Sequence, residues 1–546
     1  MMSQDLKPIT EIATQIGLSR SDIVQYGTFK AKIPLDIVYQ QPRRAKLVLV
    51  TSINPTPAGE GKTTMSVGLS QALHRIGVNA TAVLREPSMG PTFGMKGGAT
   101  GGGASRVEPS TAINLHFTGD FHAITAAHNL LAALIDNELF HGSRLHLDPK
   151  RVLWKRVLDV NDRALRHIIV GLGGPGQGVV RETGFDITAA SEVMAVLTLA
   201  RDLPDLKTRL SKMVIASQGH DMITVADLGA EDALTAILDE AMMPNLVQTR
   251  EQTPVIMHGG PFANIAHGCN SIVATEAGLR LSDVVITEAG FGADLGAEKF
   301  LDIKAPEANL APDLAVVVVT LRALRYHGGQ SLREINRPNL DALHSGMANL
   351  NKHLENLRRF GLPIVVAINQ FPADTEEEIE WLLKELADHG VPAALADVFG
   401  QGGFGGERLA HLVMQQLDET SSHYAPLYEK TESLEQKIEK IVTSIYGGSG
   451  VDYAPAALKT LARLHTWGED ELRVCIAKTQ YSLSDNPKLL GRPEGFRVTI
   501  RDIDIARGAG YIVPLAGDMI RMPGLPKDPA AYRVHVDDDG IVTGIE

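Results

Sequence analysis

The chain has only two cysteines, Cys269 and Cys475, in 546 residues. That excludes a disulfide framework and a cysteine-based zinc site, and it agrees with a reducing compartment. Positive charge is also scarce: 52 lysines and arginines stand against 65 aspartates and glutamates, a formal net charge of −13. A general nucleic-acid binder needs basic surface to meet phosphate backbones, so that class is excluded. No apolar run reaches the length that spans a bilayer, and the longest, such as Leu314 to Leu321, are strand-sized. The segment Met1 to Arg20 has neither a basic-then-apolar signal pattern nor an arginine-rich, acid-poor transit pattern, which makes a cytoplasmic location the expectation. Internal repeats and long low-complexity tracts are absent as well.

What is present reads as a soluble globular chain, 44% hydrophobic and 21% charged, long enough for two to four domains. Short apolar segments at 46–53, 80–84, 167–172, 213–217, 254–257, 283–287, 314–320, 363–369 and 472–478 alternate with longer amphipathic stretches. This rhythm predicts an α/β fold, a mostly parallel sheet with helices on both faces in the manner of a P-loop NTPase, plus smaller α+β domains. The charge-rich stretch 145–252 interrupts the rhythm and is expected to be an inserted α+β subdomain, leaving 1–144 and 253–432 as a discontinuous core. A helix from Ser433 to Ile445 leads to Gly447-Gly448-Ser449-Gly450, the expected boundary of a C-terminal α+β domain over 446–546. The alternating tail Arg533 to Val542 predicts a hairpin. Gly97 to Gly103 is a flexible loop by composition and, following the second strand, a candidate lid.

The most informative stretch is Thr56-Pro57-Ala58-Gly59-Glu60-Gly61-Lys62-Thr63-Thr64. Before it stands a strand-like run, and after it Met65, Leu69, Ala72, Leu73 and Ile76 recur at helical spacing until Gly77. Glycines that accept φ > 0 let successive N–H groups converge on phosphate oxygens, and the helix N-terminus adds partial positive charge. Lys62 then reaches the β/γ-phosphates and the Thr63 hydroxyl ligates Mg²⁺. Thr56 stands where the usual pattern has its first glycine, so the motif alone also reads as a plain strand-to-helix turn with an exposed lysine. Asn369-Gln370-Phe371-Pro372 lacks the lysine and aspartate of a guanine reader, which favours ATP. Ligands of open α/β sheets sit beyond the carboxyl ends of the strands, so the turns after 84, 257, 287 and 368 are expected to gather around this loop.

Several segments together resemble the formate-tetrahydrofolate ligase family: Thr56 to Thr64, Leu84-Arg85-Glu86-Pro87-Ser88, His258 to Gly268, Thr287 to Asp294, Cys475 to Ser482, and Met522-Pro523-Gly524-Leu525-Pro526. They run in order over nearly the whole chain. The resemblance implies an enzyme of one-carbon metabolism that makes 10-formyltetrahydrofolate from formate, tetrahydrofolate and MgATP. It also implies a cytoplasmic homotetramer activated by a monovalent cation (K⁺ or NH₄⁺), with no nucleic-acid or membrane partner. Formate would attack the γ-phosphate to give formyl phosphate and ADP, and the folate amine would then displace phosphate.

The resemblance places Thr56, Pro57, Ala58, Gly59, Glu60, Gly61, Lys62 and Thr63 on the nucleotide, with Lys62 and Arg85 catalytic. Arg85 fits a bidentate clamp on formate or formyl phosphate, and by itself it reads equally as a surface ion pair with Glu86 or a neighbour. Phe371 and Phe399 fall at the pterin slot; the family often carries tryptophan at the second position, and a buried core ring is the commoner fate of phenylalanine. Glu86 and Asp120 are further candidates for Mg²⁺ or the monovalent cation, beside capping or ion-pair roles. His258 and His267 lack a third convergent zinc ligand in the sequence and read as loop-shaping hydrogen bonders. Lys478 reads either as a contact to a substrate carboxylate or as a solvated lysine. Two rival classes remain on residues alone: a P-loop ATPase switch acting on a protein partner, and a P-loop carboxylate ligase for another acid.

Overall fold

In the computed structural model, residues 6–94, 98–142, 145–218, 221–517 and 519–545 are described. Their organising element is a sheet of twelve strands. Its central run is parallel throughout, in the order Pro254–Met257, Ala80–Leu84, Val284–Glu288, Lys46–Ser52, Leu314–Val319, Ile364–Asn369 and Ala393–Ala396. Lys46–Ser52 is buried at every position but its first, as expected of a strand covered on both sides.

Alternation along the strands explains the cover. Val48 and Val50 share one core with Met65, Leu69 and Leu73 of the helix Lys62–Arg75 and with Leu409 and Val413 of the helix Glu407–Glu419. Leu47 and Leu49 belong to the opposite core, with Leu343, Leu350 and Leu354 of Leu340–Arg359 and Leu382 of Glu376–Asp388. Each fully buried Val or Leu side chain contributes about 1.5–3 kcal/mol relative to exposure, so these doubly covered strands carry much of the stability. The sheet is thus the expected mainly parallel α/β layer with helices on both faces.

Most strand segments read from the sequence are present in it or in smaller sheets. Ile168–Val170 pairs antiparallel with Arg181–Thr183, and Val214–Gln218 with Asp221–Thr224. Arg473–Val474 lies beside Tyr511–Leu515, which also pairs with Asp502–Ala506. Six strands of the large sheet were not legible, four of them the short Val24–Gln25, Ala31–Lys32, Gly101–Gly102 and Ser105–Glu108. Ala393–Ala396 has only small and medium side chains, and Asn245–Thr249 lies within the charge-rich stretch, yet it joins the sheet antiparallel to Pro254–Met257. The helix expected from Ser433 runs as Leu434–Lys440, capped by the Ser433 side chain, and continues as a π-helical turn Ile441–Tyr446 that ends at Gly447. The tail forms the expected hairpin, His535–Val536 against Val542–Thr543.

Candidate functional site

Every parallel strand ends on the same edge of the sheet, and the Thr56–Gly61 turn leaves that edge at its middle. Gly59 and Gly61 adopt φ of 80° and 72°, the left-handed region that favours glycine. At Gly61 a Cβ would also lie 2.7 Å from Asn369 Nδ2. That amide donates to the Glu60 carbonyl at 3.0 Å, so the end of the Ile364–Asn369 strand holds the turn from one side. The Glu60 side chain holds it from within: its carboxylate accepts the Thr56 N–H at 2.6 Å and the Thr320 hydroxyl. Burial raises the Glu60 carboxyl above its ordinary pKa, against the pull of those hydrogen bonds. Thr56 also accepts the Gly59 N–H on its carbonyl at 3.0 Å, so the position without glycine is bonded on both backbone groups.

Lys62 opens the helix and donates from Nζ to Ser52 Oγ at 3.1 Å. The Thr63 hydroxyl donates to Glu288 Oε2 at 2.9 Å. Glu288 ends the neighbouring parallel strand, and its other oxygen lies 3.8 Å from Arg85 Nη2. Arg85, 25% exposed in its side chain, donates from Nη1 to the Pro261 carbonyl at 3.1 Å. Gly290 permits this approach, because a Cβ there would fall 3.0 Å from Arg85 Nη1 and 2.5 Å from Ala263 Cβ. Lys62, Thr63 and Arg85 are therefore brought to one corner, with Glu288 between the last two. A hydroxyl and a carboxylate are hard oxygen donors of the kind Mg²⁺ prefers.

Glu86 does not pair with Arg85. Its carboxylate turns inward and accepts from Asn245 Nδ2 at 3.0 Å and from the Gly259 N–H at 3.1 Å. Asp120 is its neighbour, bonded to Lys32 Nζ at 2.7 Å and to Asn245 Nδ2 at 2.7 Å. Oxygens of Glu86 and Asp120 and a ring nitrogen of His258 lie within 4.8 Å of one another. Burial, and next the Asp120 charge, pushes the Glu86 carboxyl well above its usual range. Burial is also the largest influence on Asp120, but the Lys32 ammonium, His258 and the hydrogen bonds from Glu86 and Lys32 together outweigh it and hold that carboxyl below its ordinary value. His258 is engaged on both nitrogens, with Ser271 Oγ at 2.7 Å and the Ala241 carbonyl at 2.6 Å. His267 meets Thr198 Oγ1 at 3.2 Å, so both histidines act in hydrogen bonds that shape the 258–268 loop.

Phe371 and Phe399 lie on separate loops beyond neighbouring strands. The Arg322 guanidinium stacks 3.7 Å from the Phe371 ring centroid. Phe399 is 59% exposed on the short helix Val398–Gln401, which removes the core reading of that ring. The described part of the glycine loop, 98–103, packs against it: a Cβ on Gly102 would lie 3.0 Å from the ring, and the Ala104 N–H donates to the Phe399 carbonyl at 2.9 Å. Gly97, at the start of the candidate lid, lies outside the described residues. Lys478 is neither solvated nor turned to an open site, being fully buried with its ammonium 2.6 Å from Asp294 Oδ2.

Sequence reasoning passed over Ser52 and Thr320, and it placed Glu288 and Asn369 in strand-end turns without a role of their own. Ser52, Glu288 and Asn369 are the last residues of strands in the parallel sheet, and a polar residue at that position was the signal available.

A model of the family described as formate-tetrahydrofolate ligase matches residues 1–546, the whole chain. The chain belongs to that family and is an enzyme of one-carbon metabolism, a ligase of formate and tetrahydrofolate.

Proposed function

We propose that this member of the formate-tetrahydrofolate ligase family activates formate with MgATP through formyl phosphate, at the carboxyl edge of the parallel sheet. The observation that carries the reading is the meeting of Thr63 and Arg85 at Glu288, with Lys62 next to Thr63 at the start of the helix. Formate is a poor acyl donor because its leaving group is oxide. In the first step a formate oxygen attacks the γ-phosphorus, the bond to the bridging oxygen breaks, and ADP leaves. In the second the folate amine attacks the formyl carbon, the carbon–oxygen bond to phosphate breaks, phosphate leaves, and the amine proton passes to solvent.

Both steps move negative charge across phosphoryl oxygens, so positioning and fixed positive charge supply most of the rate. The N–H groups of Ala58, Glu60 and Gly61 and the helix N-terminus cradle the phosphates, those of Thr56 and Gly59 being bonded within the turn, and Lys62 follows the charge on the γ-phosphate. Arg85 clamps formate and then formyl phosphate. Thr63 and Glu288 would hold Mg²⁺, which neutralises phosphate charge when bound. Phe371 and Phe399 sandwich the pterin of tetrahydrofolate.

Glu86 and Asp120 are the proposed seat of a monovalent cation, K⁺ or NH₄⁺, which would share Asp120 with the Lys32 ammonium 2.7 Å from it. The discontinuous core of 1–144 and 253–432, the inserted 145–252 segment, the C-terminal domain, homotetrameric assembly and a cytoplasmic location belong to the same reading. No described helix is long and apolar enough to cross a membrane.

The test is to incubate the purified protein with MgATP, tetrahydrofolate and formate carrying a heavy oxygen isotope. Acidification should develop the methenyl-folate absorbance, and one heavy oxygen should appear in the released phosphate. Unlabelled phosphate would remove the formyl phosphate step. ATP hydrolysis that ignores formate and folate would favour the switch class.

A further inference from the structure

Asn54 lies two residues before Thr56, is fully buried, and bonds through every polar group it has. Its N–H donates to His353 Nε2 at 3.1 Å, and its carbonyl accepts from His327 Nε2 at 2.9 Å. Its side-chain amide donates to Asp294 Oδ1 at 3.1 Å and to the Gln480 carbonyl at 3.3 Å, while its side-chain oxygen accepts from Asn349 Nδ2 at 2.9 Å. Two acceptors before the nitrogen and a donor before the oxygen fix the amide orientation. Burial lowers both His327 and His353 to about 4, so the rings are neutral near pH 7 and each offers one donor and one acceptor.

These partners lead into the C-terminal segment. Asn349 also donates to the Gly491 carbonyl at 2.7 Å, and His327 Nδ1 accepts the Gly491 N–H at 3.2 Å. Asp294 is tied by its other oxygen to Lys478, whose ammonium further donates to the carbonyls of Thr479 at 3.1 Å and Ser482 at 2.5 Å. Gly292 lets its turn close over the network, because a Cβ there would lie 2.5 Å from Asp294 Oδ1 and 3.3 Å from the Ile53 carbonyl. The Cys475–Ser482 motif thus reaches the chain before the glycine turn through Asp294 and Asn54, with its one ammonium group, that of Lys478, fully buried.

We propose that Asn54 is a positioning residue for nucleotide binding, holding the approach to the Thr56–Gly61 turn in register with the 478–491 segment. The physical need is plain: Glu60 and Asn369 brace the turn itself, and its N–H groups keep their aim at the nucleotide only if the chain leading into it is fixed as well. The proposal rests on reading that turn as the MgATP site.

The test compares Asn54→Ala and Asn349→Ala, alone and combined, by calorimetric titration with a non-hydrolysable MgATP analogue. Michaelis constants for formate and tetrahydrofolate at saturating MgATP, and thermal melts, are measured alongside. Asn54→Ala should weaken the analogue about tenfold or more, with the formate and folate constants near those of the unaltered protein. Asn349→Ala should move affinity the same way, and the double variant should bind no more weakly than Asn54→Ala, as expected of groups acting through one network. A lower melting temperature with unchanged analogue affinity would mean that Asn54 only packs, and it overturns the proposal. If Asn54→Ala fails to assemble, unchanged affinity in folded Asn349→Ala overturns it equally. Failure of the unaltered protein to bind the analogue would instead remove the MgATP reading, and this proposal with it.

Discussion

The Thr63 hydroxyl donates to Glu288 Oε2 at 2.9 Å, joining the first turn of the helix that follows the glycine loop to the end of the adjacent strand. Because Glu288 also lies 3.8 Å from Arg85, one carboxylate relates the proposed Mg²⁺ ligand to the proposed formate clamp. Glu288→Gln keeps the shape and an acceptor for Thr63 but removes the charge. Turnover should fall on the order of 10²-fold, with a higher magnesium requirement, in steady-state assays across a magnesium titration. Unchanged turnover and magnesium dependence would remove Glu288 from the site.

Lys62→Met should abolish ligase activity without loss of fold. The side chain is partly exposed, its methylenes are retained, and a neutral group cannot follow charge on the transferring phosphoryl. Circular dichroism, a thermal melt and the acid-quench assay check this, and near-normal turnover in a well-folded variant defeats the assignment.

Arg85→Ala should remove formate activation while sparing nucleotide affinity, since Arg85 stands after the Ala80–Leu84 strand and not in the glycine turn. The rate loss should be on the order of 10²-fold or more. Calorimetry with an ATP analogue and formate titrations separate the two effects; lost nucleotide binding with intact formate affinity would reverse the role given to Arg85.

Phe399→Ala should raise the apparent Michaelis constant for tetrahydrofolate and leave those for ATP and formate in place, because stacking adds roughly 0.5–1.5 kcal/mol beyond burial. With Phe399 59% exposed, Phe399→Trp should melt within a degree or two of the unaltered protein. A buried ring would instead lose about 1–3 kcal/mol on such enlargement. Folate affinity unchanged in both variants would take Phe399 out of the slot.

Asp159 gives a pH prediction. Burial raises its carboxyl from 3.8 to about 7, although it accepts from the Met89 N–H at 2.9 Å and from Ser88 Oγ. Across that interval the folded protein keeps a proton that the unfolded chain releases. The contribution of this group is therefore fully present below the unfolded value and is lost as pH rises through about 7. Asp159→Asn cannot titrate, so the stability difference between variant and unaltered protein should shift in favour of the variant from pH 5 to pH 8. Denaturant melts at the two pH values measure it, and a constant difference would show that Asp159 is already ionised.

The sequence by itself determined the class of sheet, the position of the glycine turn and the family. Those follow from local patterns: unbroken apolar runs bounded by turn residues, two glycines ahead of Lys62 and Thr63, and long ordered motifs. It also put Arg85 at a strand end. Tertiary structure alone decided which neighbours these groups have. Whether Arg85 meets Glu86 or Glu288 depends on strand order, which places Val284–Glu288 between Ala80–Leu84 and Lys46–Ser52 although it is far later in the chain. Lys478 shows the same limit, since its pairing with Asp294 at 2.6 Å spans a separation of 184 residues. Asn54 carries no motif at all, and its place at the centre of five partners exists only because the Leu340–Arg359 helix and the C-terminal segment pack over it. Local patterns record the conformational preferences of a segment, while contacts between distant segments are set by how the buried faces fit.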